Sequence, residues 1–218
     1  MSDGGVYKQT GNKHCAFIMN MKAENADYVQ YCADILNNVT STRIVDRKDY
    51  NTDGFNRKPQ LRLTTSSHPF FTQLRDRIYC GKYKSLDPHA FKLLDWECLA
   101  ILFMSDGSST LKKGYVDVTL NMKRLSYGDQ LFLKQQLKEK FNLEWNINKQ
   151  NQYFYLRLRN KDVIAFYEGV MPFMLPSFRY KILDVIPSIN RGGDIVCTAR
   201  ERVELGRNDL ALQLAIAN

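Results

Sequence analysis

Apolar and polar positions along the chain fall into two rhythms. Residues 25–38 place Tyr28, Tyr31, Cys32, Ile35 and Leu36 on one face at helical spacing, which predicts an amphipathic helix. Further helices are predicted at 69–79, opened by His68-Pro69, at 93–103, at 127–141 and at 161–170, the last ended by Pro172 and Pro176. In 127–141 the stripe is Leu131, Leu137 and Phe141, with Leu133 off it. A period of two marks strands. In 58–65, Leu61 and Leu63 oppose Gln60, Arg62 and Thr64; in 143–148, Leu143, Trp145 and Ile147 oppose Glu144, Asn146 and Asn148. In 153–159, Phe154, Leu156 and Leu158 point one way and Tyr153, Tyr155, Arg157 and Arg159 the other. Residues 14–22, 41–50 and 115–124 complete the predicted strands, and Asn51-Thr52-Asp53-Gly54 is a turn signal.

The order of these elements repeats, and so do short phrases within them. Met1-Ser2-Asp3-Gly4 opens the chain and Met104-Ser105-Asp106-Gly107 recurs half-way along. Asn20-Met21-Lys22 returns as Asn121-Met122-Lys123, and Leu61-Arg62-Leu63 echoes Leu156-Arg157-Leu158. Landmarks matching in order predict an internal duplication. The expected fold is α+β: two αββαββα halves related by pseudo-twofold symmetry, each with a one-sided antiparallel sheet. Helices would cover the apolar sides, leaving two polar faces as one long saddle.

Charge gives that saddle a sign. The chain carries a formal +8 and a pI near 9.2, which suits a polyanionic partner. Arg43, Lys58, Arg62, Lys123, Lys149, Arg157 and Arg159 are the candidate nucleic-acid contacts. The alternative is a solvated sheet face. Five scattered cysteines without a CxxC pair, and three histidines without metal-ligand spacing, argue against structural zinc and a disulfide framework. No apolar run reaches membrane-spanning length and no signal segment opens the chain, so an intracellular, non-secreted protein without membrane partners is expected.

Asp106 follows an apolar helix and precedes Gly107. An Asp-Gly pair alone is turn chemistry. A second copy at Asp3 changes the weighing, because a carboxylate near the negative end of a helix dipole is unfavourable without a cation. Two converging carboxylates suit Mg²⁺, with waters and phosphate oxygens as further ligands.

The stretch Leu99-Ala100-Ile101-Leu102-Phe103-Met104-Ser105-Asp106-Gly107 resembles the signature helix of the LAGLIDADG homing endonucleases. Arg62-Leu63-Thr64-Thr65 with His68-Pro69-Phe70-Phe71, the Leu120–Lys123 phrase, and Pro172–Pro176 through Tyr180-Lys181-Ile182 are similar to the same family in order. The likeness covers roughly residues 1–187 and is nearest the single-chain, two-motif subgroup. Its first signature helix is truncated, because nothing before Asp3 corresponds to residues 93–103. The resemblance implies repeats at 1–90 and 91–187. It implies a monomer with an internal pseudo-dimer that cuts double-stranded DNA at a long site with Mg²⁺ or Mn²⁺. Asp3 and Asp106 would bind metal, Lys84 and Lys181 support the attacking water, and Asn20 and Asn121 order the water network. An intron maturase acting on intron RNA, a non-cleaving DNA-binding protein and an inactive remnant are the alternatives. Residues 188–218 lie outside the likeness; there Arg191-Gly192-Gly193-Asp194 reads as a turn or linker, and 201–217 as a helix.

Overall fold

A computed structural model describes residues 4–47, 59–81, 83–112, 115–189 and 195–199. Asp3, Lys58, the Asn51–Gly54 turn and the expected helix at 201–217 lie outside the described residues. The first half runs β1 (Gly4–Lys8), β2 (Cys15–Lys22), α1 (Ala26–Asn37), β3 (Thr42–Arg47), β4 (Gln60–Thr65) and α2 (Pro69–Ile78). A small hairpin, β5 (Tyr79–Cys80) and β6 (Tyr83–Lys84), leads to α3 (Trp96–Asp106). The second half continues with β7 (Gly107–Lys112), β8 (Tyr115–Leu120), α4 (Tyr127–Phe141), β9 (Trp145–Gln150), β10 (Tyr153–Leu158) and α5 (Val163–Val170). Two further strands, β11 (Val185–Ile189) and β12 (Ile195–Ala199), pair antiparallel.

The duplication is visible in the sheets. Among the described residues, one four-stranded antiparallel sheet has the order β1-β2-β4-β3 and the other β7-β8-β10-β9. Gly4 pairs with Met19 and Gly107 with Leu120, so each Gly of the repeated phrase occupies the same ladder position. Met19 in turn pairs with Leu63, and Leu120 with Leu156. Leu63 is therefore the counterpart of Leu156, and the Leu-Arg-Leu echo is two residues out of register. Arg62 stands level with Tyr155, not Arg157. Strand side chains alternate with period two, so a two-residue shift keeps leucine on the same face and is invisible to the pattern.

Other boundaries differ for local reasons. β1 and β7 begin at the glycines where only turns were expected. They are edge strands with little apolar alternation, placed by the ladder to β2 and β8. α3 starts later than predicted, at Trp96, because Asp95 caps it by accepting from the Cys98 N–H at 2.8 Å. Residues 90–93 form a separate 3₁₀ turn. β8 stops at Leu120, so Lys123 lies in a turn before the Ser126 cap of α4, not on a strand. The stretch expected as a turn or linker, Arg191–Asp194, lies outside the described residues.

The core faces of both sheets meet the helices. Met19 and Leu63 on one sheet, and Val118, Leu120, Leu156 and Trp145 on the other, are buried with Val29, Phe103, Leu137 and Phe166 from helices. Burying each such side chain contributes about 1.5–3 kcal/mol. The halves are joined through α1. Tyr28 meets the Phe178 ring edge-on at 5.3 Å, the Ser177 N–H donates to Asp27 Oδ2 at 3.0 Å, and the Tyr31 hydroxyl donates to Glu97.

Candidate active site

Asp106 is the last residue of α3 and is half-buried. Its carbonyl accepts from the Asn121 N–H at 2.8 Å, so the first residue after β8 is fixed beside it. The Asn121 amide donates to Thr119 Oγ1 at 3.1 Å and Ser108 Oγ at 3.4 Å, and the two hydroxyls share a hydrogen bond of 2.8 Å. Gly107 is obligatory at this crossing: a Cβ there would lie 2.5 Å from the Phe103 carbonyl oxygen. The helix can therefore pass into β7 only without a side chain at that position.

Lys181 is buried and closes the end of α3 from below. Its ammonium donates to the carbonyls of Phe103 at 3.1 Å, Met104 at 2.6 Å and Gly107 at 2.7 Å. Three ammonium hydrogens meet three carbonyls at the end of α3, of which that of Phe103 also accepts from the Gly107 N–H. The positive charge also sits at the negative end of the macrodipole, where it is stabilising. The rings of Phe178 and Phe103 lie 5.1 and 5.8 Å from Nζ.

The first half repeats the arrangement. Lys84 donates to the Gly4 carbonyl at 2.7 Å. Asn20 stands one residue beyond the Met19–Gly4 pair, as Asn121 stands beyond Leu120–Gly107, and its Oδ1 accepts from Arg62 Nε at 3.0 Å. Asp3 lies outside the described residues. The structure thus brings Asn20, Arg62 and Lys84 together near Gly4, and Asp106, Asn121 and Lys181 together around Gly107. No group of three or more His, Cys, Asp or Glu side chains is placed to hold a metal among the described residues.

The basic residues divide. Arg43 and Arg62 share the polar face of the first sheet, since Arg62 pairs with Val45 two residues from Arg43. Arg157 lies on the polar face of the second, between its pairing partners Thr119 and Asn146. Lys149 shares its face with Trp145 and Ile147 and lies 6.0 Å from the Phe154 ring, so it is off the polar row. Arg159 follows the end of β10 and is ion-paired to Glu144, which also holds Lys138 at 2.9 Å and Lys161 at 3.5 Å. Lys138 and then Arg159 bring the Glu144 carboxyl down to about 2.

One cluster escaped the sequence reading. Asp117 is buried on the polar face and pairs with both Arg157, at 2.6 Å, and Lys112. Its hydrogen bond holds the Lys112 ammonium above its ordinary range. The signal was the alternation Tyr115-Val116-Asp117-Val118-Thr119, which puts Asp117 in line with the polar row.

Comparison with known proteins gives the fold and its ending a family. Residues 1–166 match the model of the LAGLIDADG DNA endonuclease family. An uncharacterised protein of Methanocaldococcus jannaschii, MJ1098, is 37% identical over 121 residues, 55% of this chain and 47% of that protein. A probable intron-encoded endonuclease of Wickerhamomyces canadensis is 28% identical over 83% of this chain and 79% of its own length. The RecA protein of Mycolicibacterium flavescens is 26% identical over 84% of this chain and 44% of its own length. The chain thus spans about half the length of MJ1098 and of this RecA. Among solved structures, the homing endonuclease I-WcaI, bound to its DNA recognition sequence, superposes with a TM-score of 0.68 at 23% identity, covering 84% of this chain and 81% of that one. I-DmoI, in complex with DNA and Mn, gives 0.52 at 18% identity, covering 80% and 92%. With an apolar helix ending on Asp106, a duplicated sheet order and a matching family model over most of its residues, the chain belongs to the LAGLIDADG DNA endonuclease family.

Proposed function

We propose that this chain is a site-specific double-strand DNA endonuclease of the homing type, hydrolysing phosphodiesters with a divalent cation such as Mg²⁺ or Mn²⁺. The observation that carries the reading is the repeated ending: Asp106, Asn121 and Lys181 around Gly107, with Asn20 and Lys84 equivalently near Gly4. Two equivalent centres in one monomer suit a duplex with two strands to cut.

The donor set fits a hard cation. Asp106 offers a half-buried carboxylate at a helix C-terminus, and in this reading Asp3 supplies its counterpart. Phosphate oxygens and waters would supply the remaining ligands of such a shell. When bound, the cation stabilises charge on the reacting phosphate and lowers the pKa of attacking water.

The chain's own residues do the rest. Asn121 spends its amide hydrogens on Ser108 and Thr119, which leaves its carbonyl oxygen to accept from a water beside Asp106. Asn20 is held the other way round: Arg62 occupies its oxygen and its amide group is left to donate. Lys181 fixes the end of α3, and so the Asp106 carboxylate, with its three donors committed to carbonyls. We assign it a positioning role, in place of the water-activating role that the family resemblance implied. Arg43 and Arg62 would meet the DNA on one half-site.

The test is cleavage of duplex DNA in Mg²⁺ with and without Asp106. Cutting by the parent and none by Asp106→Asn, with duplex binding retained, supports the reading. Duplex binding without any cutting would leave a DNA-binding protein on the same scaffold.

A further inference from the structure

Asp117 sits where a nucleic-acid-binding surface has least use for a carboxylate. It is on the polar face of the second sheet, 6% exposed, and a buried anion there carries a desolvation cost and repels phosphate. Its partners account for it. Asp117 Oδ1 accepts from Arg157 Nε at 2.6 Å and the carboxylate also pairs with Lys112. Arg157 Nη2 donates to the Tyr115 hydroxyl at 3.1 Å, and the guanidinium lies over the Tyr115 ring, 5.5 Å from its centroid. The guanidinium is thus fixed on one edge by a carboxylate and on one face by a ring.

What remains of Arg157 has a defined direction. Of five N–H groups, Nε and one hydrogen of Nη2 are committed. Both hydrogens of Nη1 and the second of Nη2 have no partner among the described residues. The flanking residues of its ladder row, Thr119 and Asn146, are neutral. A guanidinium with its Nε edge held and an N–H left on each terminal nitrogen matches the O6 and N7 acceptors of guanine, which take two parallel N–H donors.

We propose that Arg157 reads a guanine in the major groove and that Asp117 is the positioning residue that orients it. This rests on the DNA-binding reading above. Binding by the full chain to a pool of duplexes with a randomised core, without added metal, followed by sequencing of the bound fraction, tests it. The parent should select a consensus with one guanine that Arg157→Ala loses. Asp117→Asn should lose the same guanine, with discrimination at that position falling about 10- to 100-fold. The double variant should be no worse than Arg157→Ala. Arg157→Lys, which keeps the charge but lacks the planar fork, should lose the guanine as Arg157→Ala does. An Asp117→Asn profile identical to the parent's, or altered only at other positions, would overturn the proposal, as would an unchanged profile for Arg157→Ala. A parent that selects no consensus overturns the DNA-binding reading and this inference with it; a parent consensus untouched by the variants overturns this inference alone.

Discussion

The Lys181 ammonium donates to the Gly107 carbonyl at 2.7 Å, and one repeat earlier Lys84 donates to the Gly4 carbonyl at the same distance. Lys181 adds the carbonyls of Phe103 and Met104, because there a helix ends on the repeated phrase. Lys181→Met should therefore cost about 3 kcal/mol, as three hydrogen bonds to a charged donor are lost at a buried site. Lys84→Met, which loses the bond to the Gly4 carbonyl at a partly exposed site, should cost less, about 1 kcal/mol. Urea unfolding of both variants measures the difference. Equal midpoints for Lys181→Met and the parent would remove the capping role.

Glu144 supplies a pH dependence. Lys138 and Arg159 hold its carboxyl at about 2, below the usual 4.5, so the folded state binds the proton less readily than the unfolded chain. The stabilisation from this cluster is fully present above about 4.5 and is lost as pH falls towards 2. Glu144→Gln should be less stable than the parent at neutral pH and converge with it near the acid end of that window. Melting curves across that range check this; a gap that widens on acidification would contradict it.

Tyr31 and Glu97 tie α1 of the first half to the start of α3. Burial first, and then the bond to Glu97, push the Tyr31 hydroxyl above its usual range. Its contribution is present below the unfolded value of 10.0 and declines as pH rises beyond it. Tyr31→Phe should lower stability by about 1–2 kcal/mol at neutral pH, read by denaturant titration, and the deficit should shrink in alkali.

Much of this was legible in the sequence, in an instructive pattern. The helix at 127–141 was found to the residue, because its stripe is long and Ser126 with Asp129 caps its start. The Asp–Gly and Asn–Met–Lys phrases gave the duplication: Gly4 and Gly107 share a ladder position, and Asn20 and Asn121 each stand one residue beyond the partner of that glycine. The Leu-Arg-Leu echo misled by two residues, a shift that strand alternation conceals. Lys123, Lys149 and Arg159 looked like one basic row. Only the end of β8, the parity of β9 and the Glu144 ion pairs separate them from it. The two roles that tertiary contact alone reveals are Lys181 as a cap and Asp117 as the holder of Arg157. Both pair residues that lie tens of positions apart or on different strands, beyond the reach of local pattern.

The most direct test of the account is to incubate the parent chain and Asp106→Asn with a library of duplex DNA in Mg²⁺ and map the ends produced by sequencing. The account predicts double-strand breaks by the parent at one long sequence, abolished by chelation of the metal. It predicts that Asp106→Asn binds that sequence and leaves it intact. Breaks of equal number and position from the two proteins would contradict it.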